Sequence, residues 1–327
     1  MAITFKAGKN APSSGIDFNK YIESFLPDTT GQPTFYGDDS QFDGDQIVNG
    51  YATSNNAAKN KLVSLWGEDF AYVLATHELT GTIDKIDFGT YGKGKEDSGG
   101  NFTGYNTELT ISGFSIDADD DPSSGDVIYA LMGWATGEAD GSLLLEALKG
   151  EAQKIIGSKG DDRWTGTKFD DTADGKNGND AFSGGKGNDV LKGGGGNDTL
   201  SGGAGDDTIE GGAGRDTMSG GKGADSFVFK TASDLGTTSG KTDVITDFAV
   251  KEDTIDFSGI DANETKKGEQ SFKFDGKGEL SGKAGSLVYQ YLNGNTVVLG
   301  DLDGDGKADI ALDLDGKLKL TAADFEL

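Results

Sequence analysis

Eight aspartates recur at intervals of nine residues: Asp162, Asp171, Asp180, Asp189, Asp198, Asp207, Asp216 and Asp225. The units starting at Gly184, Gly193, Gly202, Gly211 and Gly220 read Gly-Gly-x-Gly-x-Asp-x-apolar-x, as in GGKGNDVLK, GGGGNDTLS and GGAGDDTIE. Weaker units start at Gly157, Gly166 and Gly175, and Phe169 stands where the second of these should have its third glycine. A second column keeps the same phase: Trp164, Ala173, Phe182, Leu191, Leu200, Ile209, Met218 and Phe227. Together the units fill residues 157–228.

Each column has a chemical use. Glycine permits backbone angles that turn carbonyl oxygens toward one point. Aspartate adds a carboxylate there, and such all-oxygen sets suit a hard cation such as Ca2+. The apolar residue fits a short strand packed inward. The pattern therefore predicts a parallel β-roll with ions between its stacked turns. One apolar side chain per nine residues is little to set against the entropy of ordering the chain. Ion binding is then part of the folding free energy.

A second acidic set is DLDGDGKAD, with Asp301, Asp303, Asp305 and Asp309. Alternating carboxylates with Gly306 in the sixth place resemble the first half of an EF-hand loop. The twelfth place holds Leu312 rather than the bidentate Glu. This set is a candidate additional calcium site, with a solvated acidic turn as the alternative.

The whole chain supports a cation-binding reading and excludes several others. It has 327 residues, 56 acidic against 29 basic side chains and a net charge of −27. Such a surface repels nucleic acid and anionic lipid. Cysteine is absent and histidine occurs once, which removes disulfides, thiolate sites and His-rich zinc centres. No apolar run of spanning length occurs. The opening MAITFKAGKNAPSSG lacks the apolar core of a secretory signal peptide.

These segments must be positioned by three regions: residues 1–156, 157–228 and 229–327. In the first, apolar spacing predicts helices at 16–25, 57–65, 125–136 and 142–156. Strand-like alternation runs between 69 and 116. The expected fold is an α+β N-terminal domain, an antiparallel sheet with helices packed on one face, followed by an all-β parallel β-roll. The last region reads as strands and turns. No nucleophile elbow, phosphate loop or dinucleotide fingerprint is present in 1–156, so an enzyme is not expected.

Three family resemblances follow from these residues. The nonapeptides resemble the repeats of RTX proteins. Residues 224–261 and 299–327 look like the C-terminal region of serralysin-type secreted proteins, and LTAADFEL resembles an uncleaved type I secretion signal. This implies export through a type I secretion apparatus and folding on Ca2+ outside the cell.

The lone His77 lies in DFAYVLATHELTGTIDKIDFG, residues 69–89. His77, Leu79, Gly81, Ile83, Asp84, Ile86, Phe88 and Gly89 resemble the haem-binding frame of HasA-type haemophores. Tyr21, the Phe35-Tyr36-Gly37 run, Tyr51-Ala52 with Ser54, and VIYALM at 127–132 extend the likeness over 1–156. The resemblance implies that Tyr72 ligates ferric haem b through its phenolate, with His77 hydrogen-bonded to that oxygen. Tyr51, Tyr129 and Met132 match pocket-wall positions. Many haemophores carry a second axial His on a mobile loop. Here that loop falls near 27–37, holds no His, and has Gln32 nearest in position. The Tyr–His segment is about three residues shorter than the family pattern.

The expected function is a secreted, extracellular haem-binding protein that delivers haem to an outer-membrane receptor. The alternative is a calcium-dependent structural or adhesive protein whose haemophore-like domain binds no haem.

Overall fold

The computed structural model describes residues 3–7, 11, 13–18, 34–36, 43–51, 61–73, 78–90, 95–96, 102–103, 106–117, 148–237 and 242–327. The chain divides into two compact units, Met1–Ser158 and Lys159–Leu327.

The first unit is built on long strands: β1 (Ile3–Ala7), β2 (Thr34–Tyr36), β3 (Asp43–Tyr51), β4 (Lys61–Val73), β5 (Glu78–Thr90), β8 (Asn106–Asp117) and β9 (Gln153–Ile156). They lie in the order β2-β3-β4-β5-β8-β1-β9. Every pairing among them is antiparallel except β1 with β9, which is parallel. A separate ribbon pairs β6 (Lys95–Glu96) with β7 (Phe102–Thr103).

Among the described residues the expected α+β class is not what forms. Every element described in this unit is a strand. Residues 61–65, read as the end of a helix, lie in β4, where Lys61 to Leu65 pair in register with Thr90 to Ile86. The spacing Leu62 to Leu65 suits one helical face, but Leu62-Val63-Ser64-Leu65-Trp66 is equally rich in strand formers. A short apolar run cannot separate the two periods, and cross-strand pairing decides. Residues 153–156 are likewise β9 rather than helix: Gln153 and Ile155 are buried and Lys154 is exposed, the period-two pattern. Residues 19–25, 57–60, 125–136 and 142–147 of the expected helices lie outside the described residues.

The second unit opens with eight short strands, two per eighteen residues: β10 (Arg163–Thr165), β11 (Thr172–Asp174), β12 (Ala181–Lys186), β13 (Val190–Gly195), β14 (Thr199–Ala204), β15 (Thr208–Ala213), β16 (Thr217–Lys222) and β17 (Ser226–Val228). Each of β10 to β15 pairs in parallel with the strand eighteen residues on, so alternate units fall into two facing sheets. Apolar residues stack in register, Phe182 on Leu200 on Met218 and Leu191 on Ile209 on Phe227. All eight apolar-column residues are at most 3% exposed.

The stacks do not stop with the repeats. β18 (Val244–Ile245) continues one sheet and β19 (Thr254–Asp256) the other. β20 (Lys273–Lys277), β21 (Ser286–Leu292), β22 (Asn295–Asp301) and β23 (Ile310–Leu314) then complete the first, in the order β18-β23-β22-β21-β20. β24 (Phe325–Glu326) closes the second beside β19. Asn293 and Gly294, both at positive φ (54° and 97°), make the two-residue turn between β21 and β22. Phe257 forms the centre of an aromatic core, 5.5 Å from Phe229, 5.9 Å from Phe272 and 6.2 Å from Phe325 between ring centroids.

Candidate metal centre

The repeat's Asp always sits immediately before its strand, at the turn where the chain crosses from one sheet to the other. All eight Asp side chains are buried, at most 2% exposed. They form two columns. In one, Asp180 Oδ1 accepts the Asp162 N–H at 2.7 Å, Asp198 the Asp180 N–H at 2.7 Å, and Asp216 the Asp198 N–H at 2.8 Å. In the other, Asp189 accepts from Asp171 at 2.7 Å, Asp207 from Asp189 at 2.8 Å, and Asp225 from Asp207 at 2.9 Å. Each Oδ1 thus ties one turn to the turn below it. On the exposed side a parallel ladder repeats the device, with Asn179, Asn188 and Asn197 each accepting the backbone N–H eighteen residues on.

Oδ2 is different. On Asp180, Asp189, Asp198, Asp207, Asp216 and Asp225 it is buried and has no hydrogen-bond partner. A buried carboxylate oxygen left unpartnered is costly unless something cationic meets it. Burial is the main cause that lifts these carboxyls. Asp180, Asp189 and Asp216 rise to about 7 and Asp198 and Asp225 to about 6, the backbone N–H opposing the shift. The carboxylates stacked above and below add to the rise at Asp180 and Asp189.

The glycines close around the same oxygens. A Cβ on Gly184 would collide with Asp189 Oδ2 and with the Gly202 carbonyl oxygen, so only glycine lets the three approach. The same holds one unit on, where a Cβ on Gly193 would strike Asp198 Oδ2 and the Gly211 oxygen. Backbone carbonyls and a lone carboxylate oxygen converging in a buried turn form a donor set of the kind a calcium ion takes. A bound Ca2+ would neutralise the columns and satisfy the unpartnered oxygens.

The early units depart from this. Lys176 holds φ +76° where the later units have glycine. Thr167 turns its N–H (2.6 Å) and hydroxyl (3.0 Å) onto Asp171 Oδ2, so that carboxylate is satisfied by protein. Beyond the repeats, sequence reasoning missed Asp243 and Asp253. Asp243 Oδ1 accepts the Asp216 N–H at 2.8 Å and Asp253 Oδ1 the Asp225 N–H at 3.0 Å, continuing both columns. The signal was there as Asp-x-apolar in Asp243-Val244-Ile245 and Asp253-Thr254-Ile255, but the steps of 27 and 28 residues break the period.

In the C-terminal acidic loop, carboxylate oxygens of Asp301, Asp303 and Asp309 lie within 4.8 Å of one another. Asp301 accepts the N–H groups of Gly304 (2.6 Å) and Gly306 (3.0 Å), and Asp309 that of Leu302 (2.6 Å). Asp305 instead pairs with Lys307 at 2.6 Å. Of the residues expected at haem, Tyr72 lies near the end of β4 with its backbone opposite Leu79 of β5, and Tyr51 ends β3. Gln32, His77, Tyr129 and Met132 lie outside the described residues. Among the described residues no helix is long and apolar enough to cross a membrane.

Residues 156–191 and 192–227 match the RTX calcium-binding nonapeptide repeat family, a model of four repeat copies. This segment is therefore a run of RTX calcium-binding repeats. Among solved structures, the chain is similar to the AlgE6R3 subunit of the Azotobacter vinelandii mannuronan C5-epimerase, at 29% identity over 50% of this chain and 77% of that one, TM-score 0.32. It is also similar to the apo hemophore HasA from Yersinia pestis, at 19% identity over 46% of this chain and 88% of that one, TM-score 0.32. A third likeness is to the extracellular lipase LipA from Serratia marcescens, at 17% identity over 54% and 40%, TM-score 0.23. No curated protein sequence matches the chain.

Proposed function

We propose that this is a secreted protein whose repeat roll takes up Ca2+ between stacked turns and folds on doing so outside the cell. The observation that carries the proposal is the pair of Asp columns, each with buried Oδ2 atoms that no protein group meets. Loose at cytosolic calcium, such a chain suits passage through a type I channel; millimolar calcium outside then drives folding by mass action. The test is a calcium titration of the full chain followed by circular dichroism. A cooperative gain of β signal supports the proposal, and a signal independent of calcium contradicts it.

The role we assign to residues 1–156 is capture of ferric haem, with Tyr72 as the iron ligand and His77 as the group that orients its phenolate. A phenol titrates near 10 when free, so ligation at neutral pH needs the iron's charge and a proton acceptor nearby. The support is the sequence frame from Tyr72 to Gly89. Hemin titration of the full chain and of Tyr72→Phe, read by visible absorbance, tests it. A saturable one-to-one spectrum lost in the variant supports haem capture. An unchanged spectrum, or none, rejects it and leaves a calcium-organised structural role.

A further inference from the structure

The turn before the repeat Asp takes one backbone form in six units and another in the unit starting at Gly166. In the units starting at Gly175, Gly184, Gly193, Gly202, Gly211 and Gly220 the second and fourth residues all hold positive φ, from 76° at Lys176 to 142° at Gly196. Lys176 keeps this form at a steric cost that glycine avoids. In the unit starting at Gly166 neither Thr167 nor Phe169 is at positive φ. On that different path the Thr167 N–H and hydroxyl both donate to Asp171 Oδ2, at 2.6 Å and 3.0 Å, and the same hydroxyl accepts the Phe169 N–H at 3.1 Å. In the other six units the corresponding Oδ2 is buried and meets no protein group.

We propose that Thr167 stands in for calcium at Asp171, so that the turn 166–171 is a rung of the roll that closes without an ion. The proposal rests on the calcium reading above and adds where ion uptake begins in this column, at Asp189. Asp171 is 0% exposed, so its carboxylate needs partners, and Thr167 supplies two on one oxygen. A cation at that oxygen would sit against two hydrogens that carry partial positive charge, the reverse of an all-oxygen calcium site. The changed turn still stacks like the others. The Gly166 N–H reaches the Ser183 carbonyl at 2.7 Å and the Lys186 N–H reaches that of Thr167 at 3.0 Å. One unit on, the Gly175 N–H reaches Lys192 and the Gly195 N–H reaches Lys176, both at 2.9 Å. The ladder is therefore kept while the ion's place is taken by a side chain. The ion-dependent turns of this column stack on a rung whose own closure needs no calcium.

The test is the number of calcium ions bound per full-length chain at saturation, by native mass spectrometry, with circular dichroism as the check on folding. Asp171→Asn should bind as many ions as wild type, and Asp189→Asn one fewer. Thr167→Gly with Phe169→Gly rebuilds Gly-Gly-x-Gly-x-Asp at Asp171 and should gain one ion. Loss of an ion in Asp171→Asn, or an unchanged count in the folded glycine variant, would overturn the assignment. If the glycine variant does not fold, the Asp171→Asn count decides alone. A wild-type count in Asp189→Asn would overturn the boundary at Asp189. Absence of calcium from wild type would instead reject the calcium reading itself.

Discussion

The nonapeptide segment and the strands that follow it build β structure from opposite materials. Across residues 157–228 the buried apolar side chains are the eight of the apolar column, and eight buried aspartates match them one for one. Across 286–325 twelve apolar side chains are buried, among them Val288, Tyr289, Val298, Leu312 and Phe325. The roll is thus held by backbone ladders around buried carboxylates, the tail by packing. Apolar burial stabilises in any solution, whereas a buried carboxylate oxygen without a protein partner is costly until a cation or a proton meets it. One chain therefore has a conditional part and an unconditional part.

The largest separation between them should come from the tail's core. Phe257→Ala removes the ring shared by Phe229, Phe272 and Phe325. It should cost about 3–5 kcal/mol in urea denaturation, with no recovery on adding calcium. In the roll, Asp198→Asn should weaken calcium binding by about tenfold or more in a titration, yet barely change stability when calcium is absent.

Acidity should move the roll and leave the tail alone. Asp180 and Asp189 titrate at about 7 when folded, above the free carboxylate value, because burial penalises their charge. Their folded form holds more protons than the unfolded one between about pH 4 and 7. Without calcium, the roll's stability is then highest below about pH 4 and is lost as pH rises through about 7. With calcium the sign reverses, since the ion competes with those protons, so affinity should fall as pH drops from about 7.5 to 5. Calcium titrations and melts with chelator at the two pH values check both signs.

The smallest effect is expected at the surface. Lys230 donates to Glu210 at 2.7 Å but is half exposed, so Lys230→Ala should change stability by no more than about 0.5 kcal/mol.

How much of this was legible depended on period. A nine-residue repeat with Asp and an apolar residue in phase specified the parallel roll, its stacked turns and the inward face of its strands, because each turn sees the same neighbours. The period treats all its aspartates alike, so it could not reveal that Thr167 hydrogen-bonds the Asp171 carboxylate. Nor could it reach Asp243, which stacks on Asp216 across a loop of irregular length. In the first unit the signal was weaker still. Leu62 and Leu65 satisfy helix and strand spacing together, and what places them in β4 is pairing with Ile86 and Gly89, contacts distant in sequence. Tyr72 was picked out by a frame of residues around it, which speaks to chemistry more than to backbone form.

The most direct test is amide hydrogen exchange of the full chain with saturating calcium and with chelator, resolved by peptide. Loss of protection over 175–228 on chelation, with protection retained over 286–314, is the predicted result. Equal protection of the roll in both conditions would contradict the claim that ions hold it together.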